Sequence, residues 1–213
     1  MRTPIGARFV TEPDQDTDII ARGIADEIIR LTDKPPYLVM ARFHRKYIDA
    51  NRRAKEAYGD AGCQADCDDY HAAIRRHIIE IRAQYPKAMP FDIHGQAAYR
   101  DSILRGTRHG LTVPKLLGRA GEIGVTGQDS VFGQFAALGY RIAPSNHADP
   151  SDRVETRNYT GGHTVERYGS HSTDGVDAMQ LEFGRNLRNR DIIERTAKDT
   201  AKAIVMFYQR FLK

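Results

Sequence analysis

The sequence predicts an α/β layered fold with helices packed on both faces of a sheet. An amphipathic helix is followed by an apolar run of strand length, and the same order recurs further along the chain. Composition sets the scale. The chain has 213 residues, of which 40% are hydrophobic and 28% charged, enough for one sizeable core and inconsistent with overall disorder. No internal repeat or flexible linker interrupts it, so residues 1–213 are expected to form a single domain.

From Asp14 to Leu31 the residues Ile19, Ile20, Ile24, Ile28 and Leu31 recur at three-to-four spacing. Asp14, Asp16 and Asp18 stand where a helix N-terminus favours negative charge. Pro35 and Pro36 stop this helix, and Tyr37 to Phe43 (YLVMARF) reads as a buried strand. Asp66 to Tyr85 has helical spacing again, through Tyr70, Ala73, Ile74, His77, Ile78 and Ile81, with Pro86 just beyond. Met89 to His94 then reads as a second strand running into Gly95. The glycines of Gly118 to Gly127, and the Asp, Pro, Ser, Asn and Gly of Asn146 to Gly162, mark segments that are loops or contain them. Between them, Ser130 to Leu138 is expected to be a short helix and Tyr140 to Ala143 a short strand. Asp177 to Phe183 is a third good strand. Asp191 to Leu212 closes the chain as a long helix on Ile192, Ile193, Ala197, Ala201, Ile204, Val205, Tyr208 and Phe211.

Lys and Arg number 32 against 28 Asp and Glu, a net +4. The charges are interspersed and no basic arm stands out, which argues against a nucleic-acid partner. No apolar run is long enough to span a bilayer and no apolar segment follows Met1, so a cytoplasmic protein without a membrane partner is expected. Cys63 and Cys67 lie one helical turn apart and read as free thiols.

Chemistry-bearing residues gather at or just past the predicted strand ends: His44 to Arg52, Asp92 to Gly95, and Gln180 to Glu182. Asp92 and His94 are two apart on a strand and so leave the same face. They could serve a metal or a proton transfer, or be a hydrogen-bonded core Asp with a helix-capping His. Glu182 lies within an apolar strand, where a carboxylate needs a cation, a metal or a proton. Arg45, Asn51 and Arg52 offer guanidinium forks and a carboxamide, suited to gripping a carboxylate or to surface salt bridging. His71 and His77 are at i and i+6, not metal-ligand spacing, and read as surface or packing residues. His109, His147 and His171 sit in loops without a Cys or carboxylate partner at useful spacing. The Gly161-Gly162 pair before His163 permits either close backbone approach to a ligand or a tight turn.

The runs R-K-Y-I-D-A-N-R at 45–52, F-D-I-H-G at 91–95, N-Y-T-G-G-H at 158–163 and D-A-M-Q-L-E at 177–182, in this order over most of the chain, resemble the N-formylglutamate amidohydrolase family. That family is similar in layout to zinc carboxypeptidases and aspartoacylases. The resemblance implies a three-layer architecture with a mixed, mostly parallel sheet, and hydrolysis of a small N-acyl amino acid such as N-formylglutamate by metal-activated water. It implies zinc as cofactor with His94 as a ligand, Glu182 as general acid and base, and Arg45 steadying the oxyanion. Asn51 and Arg52 would hold the substrate carboxylate, and Gly162, His163 and Gln180 would line the pocket. Asp49 would orient a metal histidine, with Asp92 also behind the ligands.

The family's opening Pro-His-Gly-like segment, which supplies the first zinc histidine and then a carboxylate, has no counterpart here. The chain begins Met1-Arg2-Thr3-Pro4 and its first histidine is His44. Glu12 or Asp14 is the candidate carboxylate, and His44 a candidate replacement ligand. The expectation is a domain lacking its first strand. The alternative function is a non-catalytic relic or carboxylate-binding module with an incomplete metal site.

Overall fold

A computed structural model describes residues 10–146 and 154–213; His147, and part of the loop expected over Asn146 to Gly162, lie outside the described residues. Four strands, β1 (Phe91–Gln96), β2 (Ser102–Gly106), β3 (Arg141–Ala143) and β4 (Met179–Gly184), form a sheet in the order β1-β4-β2-β3. β1 runs parallel to β4 and β2 parallel to β3, while β2 and β4 are antiparallel. The sheet is therefore mixed. Around it stand α1 (Thr17–Thr32), α2 (Ala54–Ala57), α3 (Gln64–Gln84), α4 (Pro114–Ala120), α5 (Ile123–Thr126), α6 (Val131–Ala137), α7 (His163–Tyr168) and α8 (Ile193–Phe207). The arrangement is α/β.

The period of two along a strand gives the sheet two chemically opposite faces. Met179, Leu181 and Phe183 of β4, with Ile103 of β2 and the partly buried Phe91 and Ile93 of β1, join one apolar core with residues of α1, α4, α6 and α8. Full burial of each such side chain contributes roughly 1.5–3 kcal/mol. The alternate residues of β1 and β4 are polar, and the register sets Asp92 beside Gln180 and His94 beside Glu182. A row of apolar side chains thus anchors the sheet while the residues between them are held on its other side.

α1, α3, α6 and α8 follow their sequence signals with small shifts. α1 buries Ile20 and Ile24 against α8, and it approaches so closely that a Cβ on Gly23 would lie 2.9 Å from the Ala197 methyl. α6 is capped by Ser130, whose hydroxyl accepts from the Gly133 amide at 2.9 Å. α8 ends at Phe207 and continues as a π-helical turn, Tyr208–Leu212.

The expected strand over Tyr37 to Phe43 does not form; these residues pair with no described strand, and Tyr37 and Leu38 are exposed. Tyr37 instead rests on His77, with ring centroids 4.6 Å apart. A short apolar run becomes a strand only where a neighbour completes its ladder. β2, α2 and α7 were not anticipated from the sequence, nor were the short helices α4 and α5 around Gly118 to Gly127.

Candidate active site

The polar face of the sheet is met by the loop 44–53, with α3 and α7 behind it. His71 of α3 is buried between that loop and α7, its Nε2 3.0 Å from the Ala50 carbonyl and its Nδ1 3.1 Å from the Tyr168 hydroxyl. The expectation of a surface or packing role for His71 is thus refined: it is a buried, hydrogen-bonded support of the site loop. Burial, then the positive charges of Arg167 and His163, hold its pKa down at about 4, so it is a neutral imidazole at physiological pH.

Of the two acidic candidates near the start, Asp14 reaches the site and Glu12 is exposed. Asp14 precedes α1, where Asp16 adopts a left-handed conformation with φ 60° and turns the chain onto the helix. Its carboxylate receives His94 Nδ1 at 2.7 Å and Arg45 Nη1 at 2.9 Å. Burial would raise the Asp14 pKa, but the His94 hydrogen bond and charge, with Arg45, hold it below the ordinary range.

Arg45 and Asp49 flank this pair. Arg45 Nε donates to Asp49 Oδ2 at 3.0 Å, and Arg52 Nε lies 3.6 Å from the same oxygen. Asp49 Oδ1 in turn accepts from the Asn51 amide at 3.2 Å, which folds the loop back on itself. Asp49 therefore holds the two arginines. The Arg52 side chain keeps 34% of its surface exposed, against 18% for Arg45.

Asn51 makes a junction. The Thr164 amide donates to its Oδ1 at 2.9 Å, which aims its Nδ2 at His94 Nε2, 3.2 Å away. Asp92 Oδ2 lies 3.3 Å from the same ring nitrogen and accepts from Gln180 Nε2 at 3.3 Å. His94 Nε2 thus faces an acceptor suited to its protonated form and a donor suited to its neutral form. Burial disfavours the imidazolium, but Asp92, Asp14 and Glu182 outweigh it and raise the His94 pKa well above its ordinary value.

Gly162 and His163 belong to this junction in a way that sequence spacing does not reveal. A Cβ on Gly162 would overlap the Asn51 carboxamide, so the glycine is needed for contact with that side chain. Gly161 is a turn residue with φ 113°. His163 opens α7 and donates its backbone N–H to the Asn51 carbonyl at 3.4 Å. Its ring stands edge-on to His71 at 5.8 Å, and burial lowers its pKa. His44, His109 and His171 are exposed and outside the cluster; His44 Nδ1 accepts from the Lys46 amide.

Glu182 is the odd member. It is 8% exposed and its carboxyl makes no hydrogen bond with a described residue. Burial raises its pKa to about 7, with His94 and Arg45 pulling it down and Asp14 and Asp92 pushing it up. A carboxyl poised there exchanges a proton readily near neutral pH. The charges of Asp14, Asp92, His94 and Arg45 all act on it, so residues from four separated parts of the chain share one volume.

Comparison with known protein families, characterised proteins and solved structures finds no match. The cluster is read from its own chemistry. A catalytic zinc takes three protein donors at about 2.0 Å and an open position. Asp14 Oδ2 and His94 Nδ1 are two donors of suitable kind, closed on each other by their hydrogen bond. Among the described residues no three His, Cys, Asp or Glu groups assemble into a metal-holding set. These residues do not complete a zinc site.

Sequence reasoning missed Arg188. It is buried beside Gly95, 93 positions away in sequence, and lies within electrostatic reach of Asp14 and Glu182. Nothing in its local sequence, a turn rich in Arg and Asn, distinguishes it from its exposed neighbours.

Proposed function

We propose that the chain is a hydrolase acting on the amide of a small N-acyl amino acid, of the N-formylglutamate amidohydrolase type. The observation that carries this reading is the Glu182 carboxyl, buried, without a hydrogen-bond partner among the described residues, and poised at about 7 beside His94. On this reading Glu182 takes a proton from water as the water oxygen bonds to the acyl carbon. It returns that proton to the nitrogen as the C–N bond breaks, releasing a carboxylic acid and a free amino acid. The His94 imidazolium and Arg45 are assigned to stabilising the negative charge that would develop on the acyl oxygen. Arg45 Nε and Nη1 are engaged with Asp49 and Asp14, so its Nη2 is the edge assigned to the oxyanion. Arg52 is assigned to the substrate carboxylate, and Asn51 to setting the His94 ring and the Thr164 turn. The same reading takes the α/β sheet as the centre of a three-layer, zinc carboxypeptidase-like architecture.

A second reading, a carboxylate-binding module without catalysis, is favoured by one observation: among the described residues no group of three or more His, Cys, Asp or Glu is placed to hold a metal ion. The full chain, with and without added Zn²⁺, is incubated with N-formyl and N-acetyl derivatives of glutamate, aspartate and alanine, and release of free amine is followed. The hydrolase reading expects turnover that Glu182→Gln abolishes and a KM that rises with Arg52→Ala. Absence of turnover in both metal conditions, with calorimetric binding of the same acids retained, would leave the binding module.

A further inference from the structure

Arg188 lies at the end of a 3₁₀ turn, Arg185–Arg188, that directly follows β4. That turn is fixed independently of its last side chain. The Asn186 amide donates to the Arg100 carbonyl at 2.9 Å, its Nδ2 donates to Asp101 at 2.8 Å, and the Thr196 hydroxyl holds the Leu187 carbonyl at 2.9 Å. From this base the Arg188 guanidinium is buried and spends its donors on backbone. Nε donates to the Phe183 carbonyl at 3.2 Å, Nη2 to the Gln96 carbonyl at 3.2 Å, and Nη1 to the Gln15 carbonyl. Phe183 and Gln96 lie at the ends of β4 and β1. Gln15 directly follows Asp14.

The guanidinium occupies this place because position 95 has no side chain: a Cβ on Gly95 would sit 2.6 Å from Arg188 Cζ. The Gly95 amide also reaches the Asp14 carboxylate. The charge of Arg188 is balanced through space by Asp14, Asp16 and Glu182, since its hydrogen-bond acceptors are neutral carbonyls.

We propose that Arg188 is a positioning residue of this site: its planar fork fastens the Asp14-Gln15-Asp16 turn to the ends of the two adjacent strands, and so delivers the Asp14 carboxylate to His94. Arg45 holds Asp14 from its other side, but through the carboxylate and not through the chain. A lysine cannot replace the fork, because one ammonium cannot direct donors along three fixed, divergent carbonyl directions from a single plane. Loss of the fork releases the turn while leaving the sheet and the 3₁₀ turn in place. This placement stands whatever reaction the site performs. Only its catalytic consequence rests on the hydrolase reading.

The test compares the full chain with Arg188→Lys, with Arg188→Met, and with Arg185→Lys on the exposed face of the same turn. Hydrogen–deuterium exchange is followed at residues 13–18. The His94 Nδ1–H resonance, identified by its loss in His94→Gln, is followed by proton NMR. A core variant, Phe135→Leu, whose thermal stability is measured beside that of Arg188→Lys, separates local release from general loosening. Expected are exchange at 13–18 at least tenfold faster and loss of the His94 resonance in Arg188→Lys, with both readouts unchanged in Arg185→Lys and Phe135→Leu. Should Arg188→Met not fold, Arg188→Lys alone decides. An Arg188→Lys protein that keeps both the protection and the resonance, or a Phe135→Leu protein that loses them equally, would overturn the proposal. Neither readout needs turnover, so a protein inactive on every N-acyl amino acid yet behaving as described would defeat the hydrolase reading and leave this one intact.

Discussion

Replacing Glu182 by glutamine is expected to stabilise the protein at pH 8 and to change it little at pH 5. The side chain is 8% exposed, and burial moves its pKa from the ordinary 4.5 to about 7. In the unfolded chain the carboxyl releases its proton near the ordinary value. Between the two pKa values the folded protein therefore holds a proton that the unfolded chain has lost, and the free energy of unfolding falls as pH rises. The contribution of this group is intact below about 4.5 and is lost as pH climbs through about 7. At roughly 1.4 kcal/mol per pH unit, that interval corresponds to about 3 kcal/mol. Glutamine has nearly the same shape and cannot ionise, so it escapes the loss. Urea unfolding of both proteins at pH 5 and pH 8 reads the difference directly, and the glutamine variant should gain on the parent by about 2.5 kcal/mol between the two conditions, because the unfolded carboxyl is already partly ionised at pH 5. An unchanged difference at the two pH values would refute the reasoning, because it would mean that the Glu182 carboxyl ionises as freely in the folded site as in water.

Three further outcomes are expected. Gly162→Ala drives a methyl into the Asn51 carboxamide; it should cost about 1–3 kcal/mol in denaturant unfolding and shift the His94 ring resonances. His71, with a pKa of about 4, should show no titration above pH 5 in histidine NMR; because the unfolded imidazole binds a proton near 6.5, its contribution to stability is present above that pH and is lost as pH falls toward 4. Phe183→Ala empties a fully buried position on the apolar face of β4 and should cost about 3–5 kcal/mol in urea unfolding.

Much of the framework was legible in local sequence because local physics decides it. The spacing of Ile20 and Ile24, the proline stops, and the alternation Met179-Gln180-Leu181-Glu182-Phe183 each follow from the geometry of a helix or a strand. The same alternation placed Asp92 with His94, and Gln180 with Glu182, on one face of their strands. What fails is the run at Tyr37 to Phe43, which has strand composition but no strand beside it among the described residues. β2 was missed for the complementary reason: Arg105 reads as a surface charge, yet on β2 it is buried with its guanidinium 5.6 Å from the Phe132 ring.

Residue types and strand period alone determined that a helix and strand order would build an α/β sheet with acids and an imidazole on one side of it. Tertiary structure decided which of those groups meet. Asp14 and not Glu12 joins His94, Asn51 is a junction aimed by the Thr164 amide, and Arg188 reaches the turn beside Asp14 through the space left by Gly95. The reason is physical: a side chain's chemistry and its face on an element are local properties. Its partners, its burial and hence its proton affinity are set by elements that lie up to 173 residues apart in the chain, as Arg188 and Gln15 do.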